Sequence, residues 1–289
     1  MADIPSTDSK RHVTRSLAGL AVAGGLGTMT LMRERIHHRH VYLPDRYPNG
    51  VWDPSPFGLE VEDVWFEAED GVALHGWWIP HRRAHGTLLF CHGNSGSIAN
   101  HIGVLRLLKR LRLNIFAFDY RGYGRSEGRP SERGLYRDAR AAWDVLVDEL
   151  KVSPAEIIFF GHSLGGAVAI DAALHRSAAG LIVQSSFTDL SEASRAVLPV
   201  PGVGWVTKNQ FLSIDKVPEL RLPKLFIHGT EDGTIPVELG RRLYEAADSP
   251  KEMFEVPRAG HNDVHRHGGL KYLRTLSSFR KRTLRSVAR

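Results

Sequence analysis

Apolar positions in this chain switch between two periods, and the switches divide it into elements. Val61, Val64 and Phe66, then Val72, Leu74, Trp77 and Ile79, flank Glu69-Asp70-Gly71 in the pattern of two strands joined by a tight turn. Thr87-Leu88-Leu89-Phe90-Cys91 is instead apolar almost without interruption, as expected of a strand buried on both faces of a parallel sheet. From Ile98 the apolar residues recur at helical spacing through Ile102, Leu105, Leu108 and Leu111. The exchange then repeats. Strands are predicted over 114–119, 156–160, 180–183, 224–227 and 252–256. Helices are predicted over 135–150, 164–176, 236–247 and 270–284.

Strands alternating with helices of this length predict an α/β fold with a doubly wound, mostly parallel sheet and functional residues at the carboxyl ends of its strands. Ser185 to Arg221 breaks the rhythm. It has no clear strand, three prolines and scattered apolar residues, among them Leu198, Val203 and Val206. It reads as a small cap over the strand ends, in which Trp205 and Phe211 either line a substrate pocket or complete the core. The expected organisation is an N-terminal anchor and linker over 1–50 and a folded domain over 51–289, with the cap at about 185–221. Gly122-Tyr123-Gly124 with Gly128 follows a strand, but the spacing is one residue too long for a dinucleotide fingerprint, and Arg129-Pro130 stands where a helix would open. It reads as a turn-rich loop.

The net charge of +6 over 289 residues invites a nucleic-acid partner, so its location matters. Residues 1–50 carry +3 and residues 270–289 carry +7, which leaves −4 for 51–269. A mildly acidic middle argues against a nucleic-acid-binding domain, and basic ends suit an anionic surface or simple solvation. The single cysteine, Cys91, allows no internal disulfide. Ser16 to Met32 is free of charge, with Lys10, Arg11 and Arg15 before it and Arg33, Arg35 and Arg39 after it. As a helix it would span roughly 25 Å, just short of a ~30 Å hydrocarbon core. No small-residue cleavage site ends it. The expectation is membrane association through an uncleaved single-span or interfacial segment, with a cytoplasmic protein as the alternative.

The chemistry gathers at Gly161-His162-Ser163-Leu164-Gly165, between an apolar strand and an alanine-rich helix. A strand-to-helix turn of Gly-x-Ser-x-Gly strains the serine backbone and exposes its hydroxyl, while the first helical turn directs N–H groups at any anion beside it. The bland alternative is a tight turn with a passive serine. A serine hydroxyl needs a base, and the base needs an orienting acid. His261 follows the last strand after Gly260, and Asp232 follows the next-to-last in a glycine-bracketed loop; Glu231 is the main rival acid and Asp189 a lesser one. His162 is set aside as pointing elsewhere. Acyl transfer also builds charge on a carbonyl oxygen, for which the backbone N–H groups of Leu164 and Asn94 are the expected donors. Asn94 stands in His92-Gly93-Asn94-Ser95-Gly96, directly after a strand. Cys91 reads as a buried strand residue.

These segments, with Phe118-Asp119-Tyr120-Arg121-Gly122-Tyr123-Gly124 and Gly260-His261-Asn262-Asp263, resemble the α/β-hydrolase-fold serine hydrolases. The likeness covers roughly 58–280 and is strongest to the branch with membrane-anchored lysophospholipases and protein depalmitoylases. It implies the α/β-hydrolase fold and a Ser163–Asp232–His261 triad, and says little about substrate, because this fold hosts many chemistries. The residues themselves read as a serine hydrolase that cleaves carboxylic esters or thioesters through an acyl-enzyme, a chemistry that needs no metal or organic cofactor. A peptidase on short peptides and a catalytically silent binding module are the alternatives. The chain departs from typical carboxylesterases in lacking His-Gly-Gly-Gly at the oxyanion loop. The expected partners are a small-molecule or lipid acyl substrate and a membrane surface, with no nucleic acid; the oligomeric state is left open.

Overall fold

A computed structural model describes residues 41–197, 207–208 and 210–285. Eight strands form one sheet: β1 Glu62–Glu67, β2 Ala73–Ile79, β3 Thr87–Cys91, β4 Asn114–Asp119, β5 Ile157–His162, β6 Gly180–Gln184, β7 Lys224–Gly229 and β8 Lys251–Val256. Their spatial order is β8-β7-β6-β5-β3-β4-β2-β1. Strands β3 to β8 run parallel; β2 is antiparallel to both β4 and β1. Among the described residues seven α-helices accompany them: α1 Ile102–Lys109, α2 Glu132–Asp144, α3 Leu164–His175, α4 Leu190–Val197, α5 Ser213–Lys216, α6 Val237–Ala246 and α7 Val264–Arg285.

Strand alternation divides the interior into two layers, because successive side chains leave opposite faces. Phe90, Phe160 and Ile182 point to the side where Leu105 and Leu108 of α1 pack with Tyr272, Leu276 and Phe279 of α7. Val183, one residue further, points the other way and meets α3 at Gly166. All the residues of β3, β6 and β7 are buried, which explains their unbroken apolar runs. Each fully buried Leu, Ile or Phe contributes about 1.5–3 kcal/mol.

Element types follow the sequence pattern closely, and the differences have local causes. The long helix expected over 135–150 is α2 followed by a π-helical turn, Val145–Glu149. The last helix begins six residues earlier than its apolar pattern indicates and is two stretches joined at Gly269, whose φ of 48° no helix can absorb. Between β6 and β7 the regular structure among the described residues of the expected cap is helical, 190–197 and 213–219, with no strand among them. Residues from Tyr42 onward belong to one compact unit. The reason is a short parallel pairing of Leu43–Pro44 with Ser95–Gly96.

Candidate active site

Ser163 sits between the end of β5 and the start of α3 with φ 55° and ψ −118°, a conformation that costs a residue with a side chain about 1–3 kcal/mol. The surroundings enforce it. Its N–H donates to the Gln184 carbonyl at 2.9 Å, and its own carbonyl accepts from the Gly166 N–H and the Ser186 hydroxyl, each at 2.9 Å. The flanking glycines are demanded by close approach: a methyl group on Gly161 would enter the backbone of Gly165, and one on Gly165 would enter the carbonyls of Cys91 and His92. Helix α3 is thus driven down onto the end of β3.

Two loops at the same end of the sheet bring the partners. The Ser163 hydroxyl donates to Nε2 of His261 at 3.0 Å, and Nδ1 of His261 donates to Oδ2 of Asp232 at 2.7 Å. The other oxygen of Asp232 accepts the N–H groups of Thr234 at 2.9 Å and Ile235 at 2.7 Å, so the carboxylate cannot rotate. Burial opposes ionisation of Asp232, yet hydrogen bonds from His228 and His261 outweigh it and hold the carboxyl well below the usual range. The rival acids fall elsewhere. Glu231 is exposed, and Oδ1 of Asp189 caps the N–H of Glu192 at 3.0 Å.

Two histidines that sequence reasoning left out touch this chain of hydrogen bonds. His228 donates from Nε2 to the Ile235 carbonyl at 2.9 Å and lies 3.3 Å from Oδ2 of Asp232. The His162 ring packs 5.2 Å from that of His261, and its Nε2 is 3.3 Å from the His261 carbonyl. Burial, with His261 close by, lowers His162 to about 3, so it meets the neighbouring imidazole uncharged. The signal for His162 was its adjacency to Ser163; nothing local marked His228.

The loop after β3 lies against the serine: a methyl group on Gly93 would stand 3.6 Å from Cβ of Ser163. This loop is held peptide by peptide. Tyr120 donates its hydroxyl to the His92 carbonyl at 3.0 Å, Nδ1 of His92 donates to the Gly93 carbonyl at 2.7 Å, and Tyr123 donates to the Asn94 carbonyl at 2.9 Å, which also receives the Leu43 N–H at 2.9 Å. The Gly93 carbonyl and the Asn94 N–H share one planar trans peptide and point in opposite directions. The His92 ring therefore sets the direction of the Asn94 N–H. Burial lowers His92 to about 4, which keeps it neutral with a single N–H to give. Its Nε2 lies 3.7 Å from Oδ1 of Asp119, whose carboxyl burial raises to about 7. Leu164 is the first residue of α3, where helix geometry leaves the N–H without an intrahelical partner.

The expected pocket residues fare differently. Trp205 lies outside the described residues, as do Leu198, Val203 and Val206. Phe211 is fully buried, its ring edge-on to Tyr136 at 5.7 Å and its N–H on Oε1 of Glu132 at 2.7 Å. That is a buried position against α2. Cys91 is likewise buried, its thiol pushed up to about 12 by burial. Among the described residues no cluster of three His, Cys, Asp or Glu is arranged to hold a metal ion.

Residues 86–202 match the family profile described as alpha/beta hydrolase fold. The chain is 38% identical over 244 residues to an uncharacterised protein of Mycobacterium tuberculosis, covering 84% of this chain and 85% of the relative. It is 33% identical over 285 residues to the alpha/beta hydrolase domain-containing protein WAV2 of Arabidopsis thaliana, covering 90% and 91%. In three dimensions it is similar to an esterase of Pyrococcus furiosus, with a TM-score of 0.73 at 22% identity over 84% of this chain and 98% of the other. With the strand order and these relatives together, the chain belongs to the α/β-hydrolase fold family.

Proposed function

We propose that the protein is a serine hydrolase that transfers the acyl group of a carboxylic ester or thioester to water. The observation that carries this reading is the continuous hydrogen-bonded chain from Ser163 through His261 to Asp232, at 3.0 and 2.7 Å, on a strained elbow. Oγ of Ser163 attacks the acyl carbon while Nε2 of His261 takes its proton. The N–H groups of Leu164 and Asn94 receive the oxyanion. The imidazolium returns the proton to the leaving alcohol or thiol, leaving acyl-Ser163. A water then attacks the acyl carbon, losing its proton to the same nitrogen, and the carboxylic acid departs as the serine is re-formed. Asp232 fixes the tautomer of His261 and balances its transient charge.

Within this reading we take the acyl group to be lipid-like, as the names of the lysophospholipases and depalmitoylases it resembles suggest; the pocket role expected of Trp205 falls outside the described residues. The same reading puts the enzyme at a membrane surface through the segment 16–32, which lies outside the described residues. Among the described residues no helix is long and apolar enough to cross a membrane. A silent binding module would need one of the three side chains missing or displaced, and the three meet within hydrogen-bond distance. The test is labelling by a fluorophosphonate probe together with hydrolysis of a panel of acyl esters and thioesters. Wild type should label and turn over; Ser163→Ala should do neither while melting at nearly the same temperature. Ester turnover persisting in that variant would sink the assignment.

A further inference from the structure

The charge of the folded domain is distributed by face, a fact hidden in the near-neutral sum over its middle. Residues 102–112 and 264–285, which are α1 with the turn after it and α7, hold eleven Lys and Arg and no Asp or Glu. The two segments lie side by side on one layer of the sheet, sharing a core through Leu105, Leu108, Tyr272 and Leu276. Between them runs a groove of about 420 Å³, bordered by Arg110 and Arg112 on one side and Leu273, Arg274 and Lys281 on the other. Among the described residues no carboxylate lies within ion-pair distance of these four cations. On α7 Arg282 does pair with Glu252, but on the other layer such pairing is the rule. There Arg137 pairs with Glu69 and Asp70, Arg140 with Asp171, and Arg176 with Asp144.

Apolar side chains accompany the cations. Leu270, at the edge of the groove, is 66% exposed. At the other end of α1, Val51 and Phe57, 39% and 47% exposed, border a largely apolar cleft of about 370 Å³ with Ile102 and Arg106. One helix of eight residues, about 12 Å long, thus links the basic groove to the apolar cleft. Unpaired cations beside exposed aliphatic and aromatic side chains match the boundary between headgroups and acyl chains, where charge and hydrocarbon are met together. A nucleic-acid backbone would leave the Leu and Phe without a partner.

We propose that the α1–α7 face docks the domain on an anionic lipid surface, with Arg110, Arg112, Arg274 and Lys281 on the headgroups. This inference rests on the membrane reading above for its setting, and it is independent of the hydrolytic chemistry. It is tested with the full chain by co-sedimentation with vesicles of phosphatidylcholine alone and of phosphatidylcholine mixed with phosphatidylglycerol. The segment 16–32 and its flanking cations are present in every protein compared, so the difference in anionic preference between wild type and the variants reads the face. Wild type should prefer the anionic vesicles, and the preference should fall as salt rises. The triple variant Arg110→Gln, Arg274→Gln, Lys281→Gln should lose about fivefold in affinity per cation removed, or about a hundredfold in all, on anionic vesicles and nothing on neutral ones. A control with the same charge change at Arg129, Arg133 and Lys151, which are exposed and do not border the groove, should keep most of the preference. Equal losses in both triple variants would overturn the assignment to this face. So would wild type with no anionic preference, or duplex DNA binding that persists where vesicle binding is absent. Both variants should keep wild-type melting temperatures and turnover of a short soluble ester. If no chain turns over ester yet the vesicle pattern holds, the hydrolase reading fails and the docking surface stands.

Discussion

His92→Phe tests how the Asn94 N–H is aimed. The ring at position 92 is fully buried against Tyr120, at 4.4 Å between centroids, and Tyr123, at 5.2 Å, so phenylalanine can keep the aromatic contacts. What it removes is the donor at Nδ1, 2.7 Å from the Gly93 carbonyl. Leaving that buried carbonyl unsatisfied costs about 1–3 kcal/mol, which for a domain of this size lowers the melting temperature by a few degrees, on the order of 2–4 °C per kcal/mol. The kinetic effect has a ceiling: complete loss of one oxyanion donor costs about 2.7–4 kcal/mol of transition-state stabilisation, or 10²–10³ in kcat. The Gly93–Asn94 peptide keeps its neighbours' tethers through Tyr120, Tyr123 and Leu43. We therefore expect roughly 30- to 100-fold lower kcat. KM should stay within about twofold, since the oxyanion exists only after attack. Tyr123→Phe is the matched control, because its hydroxyl holds the next peptide and not the one bearing the Asn94 N–H. It should cost similar stability and less than about threefold in kcat. Steady-state hydrolysis of a chromogenic ester and thermal unfolding supply both readouts. Equal kcat losses in the two variants, or a loss confined to KM, would refute the reasoning.

Asp232→Asn should lower kcat by about 10⁴ through the wrong imidazole tautomer, while Glu231→Gln leaves it unchanged; the reverse ranking in an ester assay would reassign the acid. Asp119 gives a pH signature. Its folded value near 7 lies above the ordinary carboxylate value of about 4, so its protonated form favours the fold. That contribution is complete below about pH 4 and is lost as pH rises through 7. Relative to Asp119→Asn, which cannot titrate, wild type should lose stability over that window. Denaturant midpoints at a series of pH values check this, and a constant difference between the two proteins would contradict it.

Much of the fold was legible because burial on both faces leaves runs such as 87–91 no polar positions to confuse the period. The order of Ser163, Asp232 and His261 was legible for a similar reason: each follows a strand, so all three must arrive at one end of the sheet. The choice between Asp232 and Glu231 was not, because adjacent residues in one loop differ only in which N–H groups they accept. In the structure it is Asp232 that accepts the N–H groups of Thr234 and Ile235 and meets His261. His228 and the α1–α7 face were hidden for a different reason. Both depend on segments distant in sequence meeting in space, and a summed charge erases a separation of charge by face. Phe211 was ambiguous because an apolar residue in an insert reads the same whether it lines a pocket or fills the core.

The backbone at Ser163 has one more consequence. Its φ of 55° and ψ of −118° suit glycine, which has no Cβ to resist them. Under the proposed chemistry, position 163 is therefore one where folding and catalysis want different residues. A chain drifting under selection for stability alone would exchange this serine for glycine and fold better for it. A family member that keeps a serine on this elbow reports, by that fact, a continuing demand for the hydroxyl. A member with glycine there would be a binding fold that has settled into its most relaxed form.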